Sequence, residues 1–457
     1  MRSHWKDRPL IIWAVMRERV QLRATTEYST RRTEMLAASG PVPTSERILA
    51  LDTLRGVALL GILPMNIQAF SMIGAAYLNP TAYGNLQGAN YWVWFLSHLL
   101  AEQKFMAIFS MVFGAGIVLM SSRIEASGRS AAYIHYRRMG WLILFGLLHA
   151  FLLWYGDILL TYGLCGLLAF LARMLPPRRL IVIGFAFIAV TSLICLCFAL
   201  SMPHWRAESL DTFTKEMWRP TPAMVQRELA AYRSGWLGEM HQRFRDAVIL
   251  QAEGFILLSF WRVEGLMLVG MALLKIGIFS AQRAAKLYWL LLIVGLLVGI
   301  PMVSYGTSKD FATGWSIRQS LFINYQYNYW GSILISLGWI GAVMLICQSS
   351  RLRGLTKPVA AVGRMAFTNY ILDTLICTSI FYGFGMGLYG HVGRTGQIKT
   401  VLMIWIVQLV ASPIWLRYFR FGALEWLWRS LTYRKLQPFR KRKGPATHIL
   451  LQGGSVP

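Results

Sequence analysis

The chain is predicted to be an all-α polytopic membrane protein of about ten transmembrane helices, with an amphipathic external cap segment. Three observations predict it. Hydrophobic residues make up 56% of the 457 residues, against roughly 45–50% in soluble domains. Charged residues are only 14% and cluster between apolar runs. Loops rich in arginine and lysine alternate with loops that have few, as the positive-inside rule requires of a chain that crosses a bilayer repeatedly.

About 20 apolar residues cross a hydrocarbon core of about 30 Å at 1.5 Å per residue. On that ruler ten spans fall at 53–74, 91–121, 139–157, 158–174, 179–201, 261–279, 286–305, 321–348, 359–385 and 398–418. Residues 1–46 read as a cytoplasmic N-terminal tail, partly disordered or preceding a misassigned start, with Met35 opening a shorter lead. Residues 47–202 hold spans one to five. Residues 261–433 hold spans six to ten and an interfacial helix, and 434–457 form a basic cytoplasmic tail.

Arg123, Arg129, Arg137 and Arg138 lie between spans two and three, and Arg173, Arg178 and Arg179 follow span four. Arg283 and Lys286 follow span six, and Arg351, Arg353 and Lys357 follow span eight. The loop at 75–90 has no charge, and 386–397 carries only His391 and Arg394. This alternation places both termini in the cytoplasm of a multi-pass protein of the bacterial inner membrane.

Residues 203–260 break the pattern. They are long, polar and on the expected outer side, with Pro203, Pro220 and Pro222 as punctuation and an amphipathic stretch from Met224 to Phe244. They read as a cap lying on the bundle over the site, or more blandly as a connector on the membrane surface.

The net charge of +26 sits in the loops and in the tail from Arg434 to Lys443, where it meets anionic lipid headgroups. The bilayer is the expected partner; nucleic acid is not, since no basic-aromatic binding module accompanies the charge. Cys165, Cys195, Cys197, Cys347 and Cys377 all lie in apolar runs without ligand-like spacing, so neither a disulfide framework nor a metal site is expected. The glycines at Gly114-Ala115-Gly116 and at Gly383, Gly385 and Gly387 read as helix-contact residues, not phosphate loops.

Asn66, Glu102, Gln103, Lys104 and His149 sit inside segments apolar enough to span. Ionisable groups in hydrocarbon are costly and usually face a protein interior or a wet cavity. His149 is the histidine well inside a span, and an imidazole there can take and return a proton; a hydrogen-bonded packing role is the alternative. Lys104 or Asn66 could donate to a developing oxyanion. Glu102 and Lys104 are expected to find partners on separate helices, with Arg262, Glu264 and Asp373 as candidates, in an ion pair or in catalysis. Asn369, Tyr370 and Asp373 form a polar stripe on span nine. Asp52 and Arg55 share a face at the head of span one, or form an N-cap and an ordinary loop charge. Asp157 stands in the turn joining spans three and four. Glu425 and Arg429, at i and i+4 beside Trp426 and Trp428, read as a surface salt bridge in an aromatic belt. At least three of Asn66, Glu102, Lys104, His149 and Asn369 are expected to converge on one cavity.

The head of span one, Leu51-Asp52-Thr53-Leu54-Arg55-Gly56 with Asn66 ten positions after the glycine, resembles the membrane acyltransferase superfamily. That superfamily includes glycan O-acetyltransferases and the lysosomal heparan glucosaminide N-acetyltransferase. The match is nearest to its YeiB-like branch, domain of unknown function 418. Similar to that branch are Glu102-Gln103-Lys104-Phe105 through Phe113-Gly114-Ala115-Gly116, and His149 through Gly156-Asp157-Ile158-Leu159. So are Gly363-Arg364-Met365 to Thr368-Asn369-Tyr370, and Phe421-Gly422 through Arg429. The resemblance covers about residues 47–440.

It implies an acyl-CoA donor substrate with no bound cofactor, and an intramembrane catalytic histidine. In the O-acetyltransferase branch that histidine matches Asn66; in the glucosaminide enzyme it follows about eleven residues later, where this chain has Tyr77. His149, Glu102, Asn66 and Lys104 are therefore the catalytic candidates. Asp52, Arg55, Asp157, Asn369, Tyr370 and Asp373 are the substrate-binding ones. Two functions follow as expectations. One is transfer of an acyl group from cytoplasmic acyl-CoA to an extracytoplasmic glycan, lipid or small-molecule acceptor. The other is transport of a small metabolite through the polar cluster of Glu102, Lys104 and His149.

Overall fold

The computed structural model describes residues 49–441; the expected N-terminal tail and the end of the basic tail lie outside them. The described residues form an all-α polytopic membrane protein. Seven helices are long and apolar enough to cross a membrane. They are 49–71, 89–126 counted through a break, 177–204, 236–275, 285–312, 318–348 and 394–418. The apolar helices Leu159–Met174 and Ala366–Phe381 are shorter. They stand, with Ala131–Leu152, where spans four, nine and three were expected. Two of them have a local reason for being short or less apolar. Ala131–Leu152 spends its first turns on Arg137 and Arg138, and Ala366–Phe381 is the second half of a span bent at Met365.

In chain order the helices are α1 (Leu49–Ser71), α2 (Ala75–Leu78), α3 (Ala89–Leu100), α4 (Lys104–Ala126), α5 (Ala131–Leu152) and α6 (Leu159–Ala169). There follow α7 (Pro177–Ser201), α8 (Ala207–Met217), α9 (Pro222–Arg233), α10 (Trp236–Val248), α11 (Phe260–Lys275), α12 (Ala285–Val294) and α13 (Ile300–Ala312). The last five are α14 (Tyr325–Gln348), α15 (Arg353–Arg364), α16 (Ala366–Phe381), α17 (Arg394–Tyr418) and α18 (Ala423–Tyr433). Wide-turned π stretches at 249–259, 295–299 and 318–324 join α10 to α11, α12 to α13 and the approach to α14.

Helices in lipid gain little from hydrophobic exclusion, so close contact through small residues does the holding. At Gly270 a Cβ would stand 1.9 Å from the Met111 carbonyl oxygen, and at Gly114 2.1 Å from that of Met267. Thus α4 and α11 touch backbone to backbone. Gly56 and Gly363 do the same for α1 and α15, each 2.0 Å from a carbonyl oxygen of the opposite helix. The glycines of three of the resembling segments are therefore contact points between the helices that carry them.

One end of the bundle is basic. There Arg173 pairs with Glu125 at 2.9 Å, and the Arg138 guanidinium lies 4.3 Å from the Trp428 ring. Glu425 belongs to this end, but not as the expected salt bridge with Arg429. Its Oε1 accepts from the backbone N–H groups of Phe367 (2.7 Å) and Thr368 (3.2 Å), and its Oε2 from the Thr368 hydroxyl (2.5 Å). A negative charge there satisfies orphan donors at the start of α16 and opposes its dipole. Arg429 instead lies over the Phe421 ring. Glu425→Ala is expected to destabilise the fold by about 2 kcal/mol, as for a lost charged cap, and Glu425→Gln by less. Thermal unfolding in detergent checks this, and equal melting temperatures for both variants and the parent would refute the cap.

The other end is covered by α8, α9 and α10. Glu228 of α9 accepts from the Gly74 N–H (2.8 Å) and the Tyr389 hydroxyl (3.0 Å), and burial pushes its carboxyl up to about 7. The Gly383 N–H donates to the Tyr232 carbonyl. The expected boundary between cap and sixth span at 260 falls inside one helix that runs unbroken from Trp236 to Lys275. At 1.5 Å per residue its 40 residues reach about 60 Å, twice the hydrocarbon thickness. Cap and membrane core are thus mechanically one piece.

Candidate functional site

His149 lies in the last turn of α5, whose final carbonyl contacts run from Leu153 and Trp154 back to its own backbone oxygen. The chain then turns sharply. A Cβ at Gly156 would lie 2.4 Å from the Trp154 ring, so any larger residue here would push on that buried indole. It delivers Asp157 to the start of α6, where Oδ2 accepts from the Leu160 N–H at 2.7 Å. The other oxygen, Oδ1, stands 2.8 Å from Nδ1 of His149.

On its far side Nε2 of His149 is 2.9 Å from the Thr374 hydroxyl of α16. An ionised carboxylate only accepts, so opposite such a carboxylate Nδ1 carries the ring proton and Nε2 is the acceptor, sharing the Thr374 hydroxyl with the Tyr370 carbonyl 3.4 Å away. The side chains of His149 and Asp157 are 1% and 0% exposed. The Tyr370 ring packs 5.1 Å from the imidazole, and its hydroxyl accepts from the Ile158 N–H.

The cap holds this turn. Gln251, in the π stretch, donates to the carbonyls of Tyr155 (3.2 Å) and Asp157 (2.8 Å). Trp236 donates to the Leu152 carbonyl and Arg243 to that of Phe151. The carbonyls of Phe151 and Leu152 end the helix that carries the histidine. The arrangement is an imidazole between a carboxylate and a hydroxyl, both within hydrogen-bond reach, a geometry able to support proton transfer.

The expected stripe on span nine divides, because successive helical residues turn by about 100°. Tyr370 and Thr374 face His149. Asn369 donates to the Ser412 hydroxyl (3.1 Å), and Asp373 accepts from Gln408 (2.6 Å), both on α17.

Glu102 and Lys104 form a second cluster. The helix from 89 to 126 is interrupted, with Gln103 at φ 62° in the left-handed region. The break lets both residues reach one asparagine: Lys104 Nζ donates to Asn328 Oδ1 (2.6 Å) and to the His98 carbonyl (2.6 Å). Asn328 Nδ2 donates to Glu102 (3.3 Å), whose other oxygen meets His98 Nδ1 at 2.6 Å. Separate helical partners were expected from Arg262, Glu264 and Asp373. Arg262 instead donates to the Tyr329 carbonyl and the Ser332 hydroxyl. Gln103 points elsewhere, its carbonyl oxygen buried without a partner. Asn66 is half-buried on α1 and makes no side-chain hydrogen bond among the described residues. The five residues expected to converge are therefore spread over three hydrogen-bonded clusters and one unbonded amide.

Asp52 and Arg55 pair at 2.7 Å at the basic end. Arg138 of α5 and Arg429 of α18 lie within electrostatic reach of Arg55, and Arg364 of α15 within reach of Asp52. Four arginines from four helices thus gather around the carboxylates of Asp52 and Glu425.

Residues 273–435 match the family described as Protein of unknown function (DUF418). The chain is 34% identical over 418 residues to the uncharacterized protein YeiB of Escherichia coli (strain K12), covering 86% of this chain and 98% of that protein. The chain belongs to the YeiB-like DUF418 family. It is also 31% identical to the uncharacterized protein YxaH of Bacillus subtilis (strain 168), over 88% of this chain and 98% of the relative. An uncharacterized 39.9 kDa protein of Bacillus acidopullulyticus is 28% identical over 406 residues. In this DUF418 chain the family segment supplies Thr374, Tyr370 and Asn328, and the helices before it supply His149, Asp157, Glu102 and Lys104.

Thr374 and Asn328 are the residues that sequence reasoning missed. A threonine in an apolar helix carries no signal of its own. The one available clue was its i+4 spacing from Tyr370.

Proposed function

We propose that this DUF418 protein transfers an acyl group from a CoA thioester, bound at the basic end, to a hydroxyl or amine acceptor entering from the capped end. The observation that carries the reading is His149 held between Asp157 and Thr374. In the reaction the acceptor oxygen or nitrogen attacks the thioester carbonyl while Nε2 of His149 takes its proton. The tetrahedral intermediate collapses, the carbon–sulfur bond breaks, and the leaving sulfur receives that proton. Asp157 stays ionised and balances the imidazolium. The Thr374 hydroxyl, 2.9 Å from Nε2, occupies the position that the acceptor group would take.

The four arginines support the donor side, since guanidinium groups match phosphate oxygens in number and geometry. Arg138 and His149 are eleven positions apart on α5, about 16 Å at 1.5 Å per residue, a depth that an extended thioester arm would thread. The basic end would face the cytoplasm of the inner membrane, with both termini inside. Purified protein in proteoliposomes with labelled acetyl-CoA tests the reading. Release of CoA that rises with an added acceptor and falls in Arg138→Ala is expected. No release and no label transfer with acyl-CoAs of several chain lengths would remove it.

One observation favours transport as a second reading. A helix broken beside buried charges, here at Glu102 and Lys104, is how transporters build substrate sites at mid-membrane depth. Counterflow of a labelled metabolite without CoA turnover would select it.

A further inference from the structure

We propose that the cavity beside the break between α3 and α4 binds a small organic ammonium, a compact amine that also carries a hydrogen-bond-accepting oxygen. The cavity is about 70 Å³, room for about five waters or a handful of heavy atoms. The inference rests on this cavity alone and is independent of the acyl-transfer reading, whose failure would show at His149.

The walls select for positive charge. Glu102 and Asp310 both line the space. The Glu102 side chain keeps 22% exposure, although it belongs to a break in a membrane helix. Lys104, the nearest ammonium of the protein itself, is fully buried, and its hydrogen bonds go to His98 and Asn328. It is not among the groups that line the cavity. The acidic groups thus face the space, with the His98 imidazole beside Glu102 on the same wall, and the lysine does not.

Indoles complete the wall. Trp94 of α3, Trp218 after α8 and Trp315 after α13 come from three separate parts of the chain. Their ring centroids are 5.7 Å (Trp94 to Trp315) and 6.4 Å (Trp218 to Trp315) apart. Indole faces attract ammonium groups better than other aromatic rings do. Trp315 is held in place at some conformational cost. It sits at φ 56° directly after Gly314 at φ 57°, in a region a bulky residue rarely adopts. The Trp218 indole donates to its carbonyl at 2.8 Å, and its own N–H donates to that of Asp310 at 2.9 Å.

The indole N–H of Trp315 is left over. The residue is 6% exposed, and this donor has no partner, although buried donors are satisfied in the great majority of cases. An oxygen on the ligand would satisfy it while the ammonium group meets Glu102 and Asp310. Side-chain oxygens of Thr307, Ser320, Asn324 and Asn328 share the wall with the rings, so the sodium chloride control below separates an amine site from a metal-cation site.

Calorimetric titration of the full chain in detergent tests the site with ethanolamine, ethylammonium, 1-propanol and sodium chloride. Ethanolamine should bind, 1-propanol should not, and Glu102→Gln or Asp310→Asn should weaken ethanolamine about 10-fold or more. Trp315→Phe keeps a ring and removes the donor, so it should weaken ethanolamine but not ethylammonium. Nanodiscs distinguish the source. Loss of free ethanolamine binding in phosphatidylethanolamine, but not in phosphatidylglycerol, assigns a lipid headgroup, and retention in both assigns a soluble amine. The proposal is overturned if the parent protein, with its melting transition intact, binds none of the amines. It is overturned equally if sodium chloride gives the same heat as ethanolamine, or if both carboxylate variants bind ethanolamine like the parent.

Discussion

His149→Gln is expected to lower acyl transfer about 100- to 10,000-fold, the usual cost of losing a positioned acid–base group. The amide approximates the ring in size and can donate to Asp157, which stands 2.8 Å from Nδ1, but it takes up no proton. His149→Ala should lose as much activity. It should also lose a few kcal/mol of stability, because it empties a nearly unexposed site and strands Asp157 and Thr374. Asp157→Asn sharpens the test. An amide at that position would donate to Nδ1, force the ring proton onto Nε2 and remove the lone pair facing Thr374. Activity should fall with modest change in melting temperature, since Oδ1 of the asparagine can still accept from the Leu160 N–H. A purely structural histidine predicts the reverse order, with glutamine tolerated and alanine destabilising. Turnover of acyl-CoA and thermal stability measured on the same preparations separate the two. Normal turnover in His149→Gln would move the base to Glu102.

The apolar runs made the helical membrane architecture legible, because hydrocarbon thickness fixes how long a spanning segment must be. His149 and Asp157 were legible for related reasons: one is an imidazole in an apolar segment, the other a carboxylate in a glycine-marked turn. Their mutual contact was not, since it depends on how tightly that turn closes. The break at Gln103 was invisible because no glycine or proline announces it; residues 91–121 read as one span. A ruler of 1.5 Å per residue assumes continuity, so Glu102 and Lys104 were assigned to different directions. Once the helix is interrupted they meet at Asn328. Glu425 misled in the opposite way. Its i+4 partner Arg429 looked sufficient, yet the start of α16 offered two backbone donors and a hydroxyl, and a buried carboxylate takes the larger number of hydrogen bonds.

Glu239 and Arg243 of α10 form a second acid–base pair at this spacing. Lying at i and i+4 on an amphipathic stretch, both side chains are nevertheless 0% exposed. Arg243 also donates to the Phe151 carbonyl at 3.1 Å and lies over the Trp236 ring. Arg243→Ala would leave the Glu239 carboxylate buried without its counter-charge, a change that typically costs about 3–5 kcal/mol. The paired replacement Glu239→Leu with Arg243→Met should recover most of that loss, because apolar residues of similar volume avoid the desolvation of two charges. It would not restore the bond to Phe151, two residues beyond His149 on the last turn of α5. The paired variant should therefore melt near the parent temperature yet transfer acyl groups more slowly, with kcat falling more than KM rises. Thermal melts and steady-state kinetics check both halves. A single variant within about 1 kcal/mol of the parent would mean the pair is solvated after all. A paired variant with unchanged kcat would mean that the cap braces the fold without tuning the histidine.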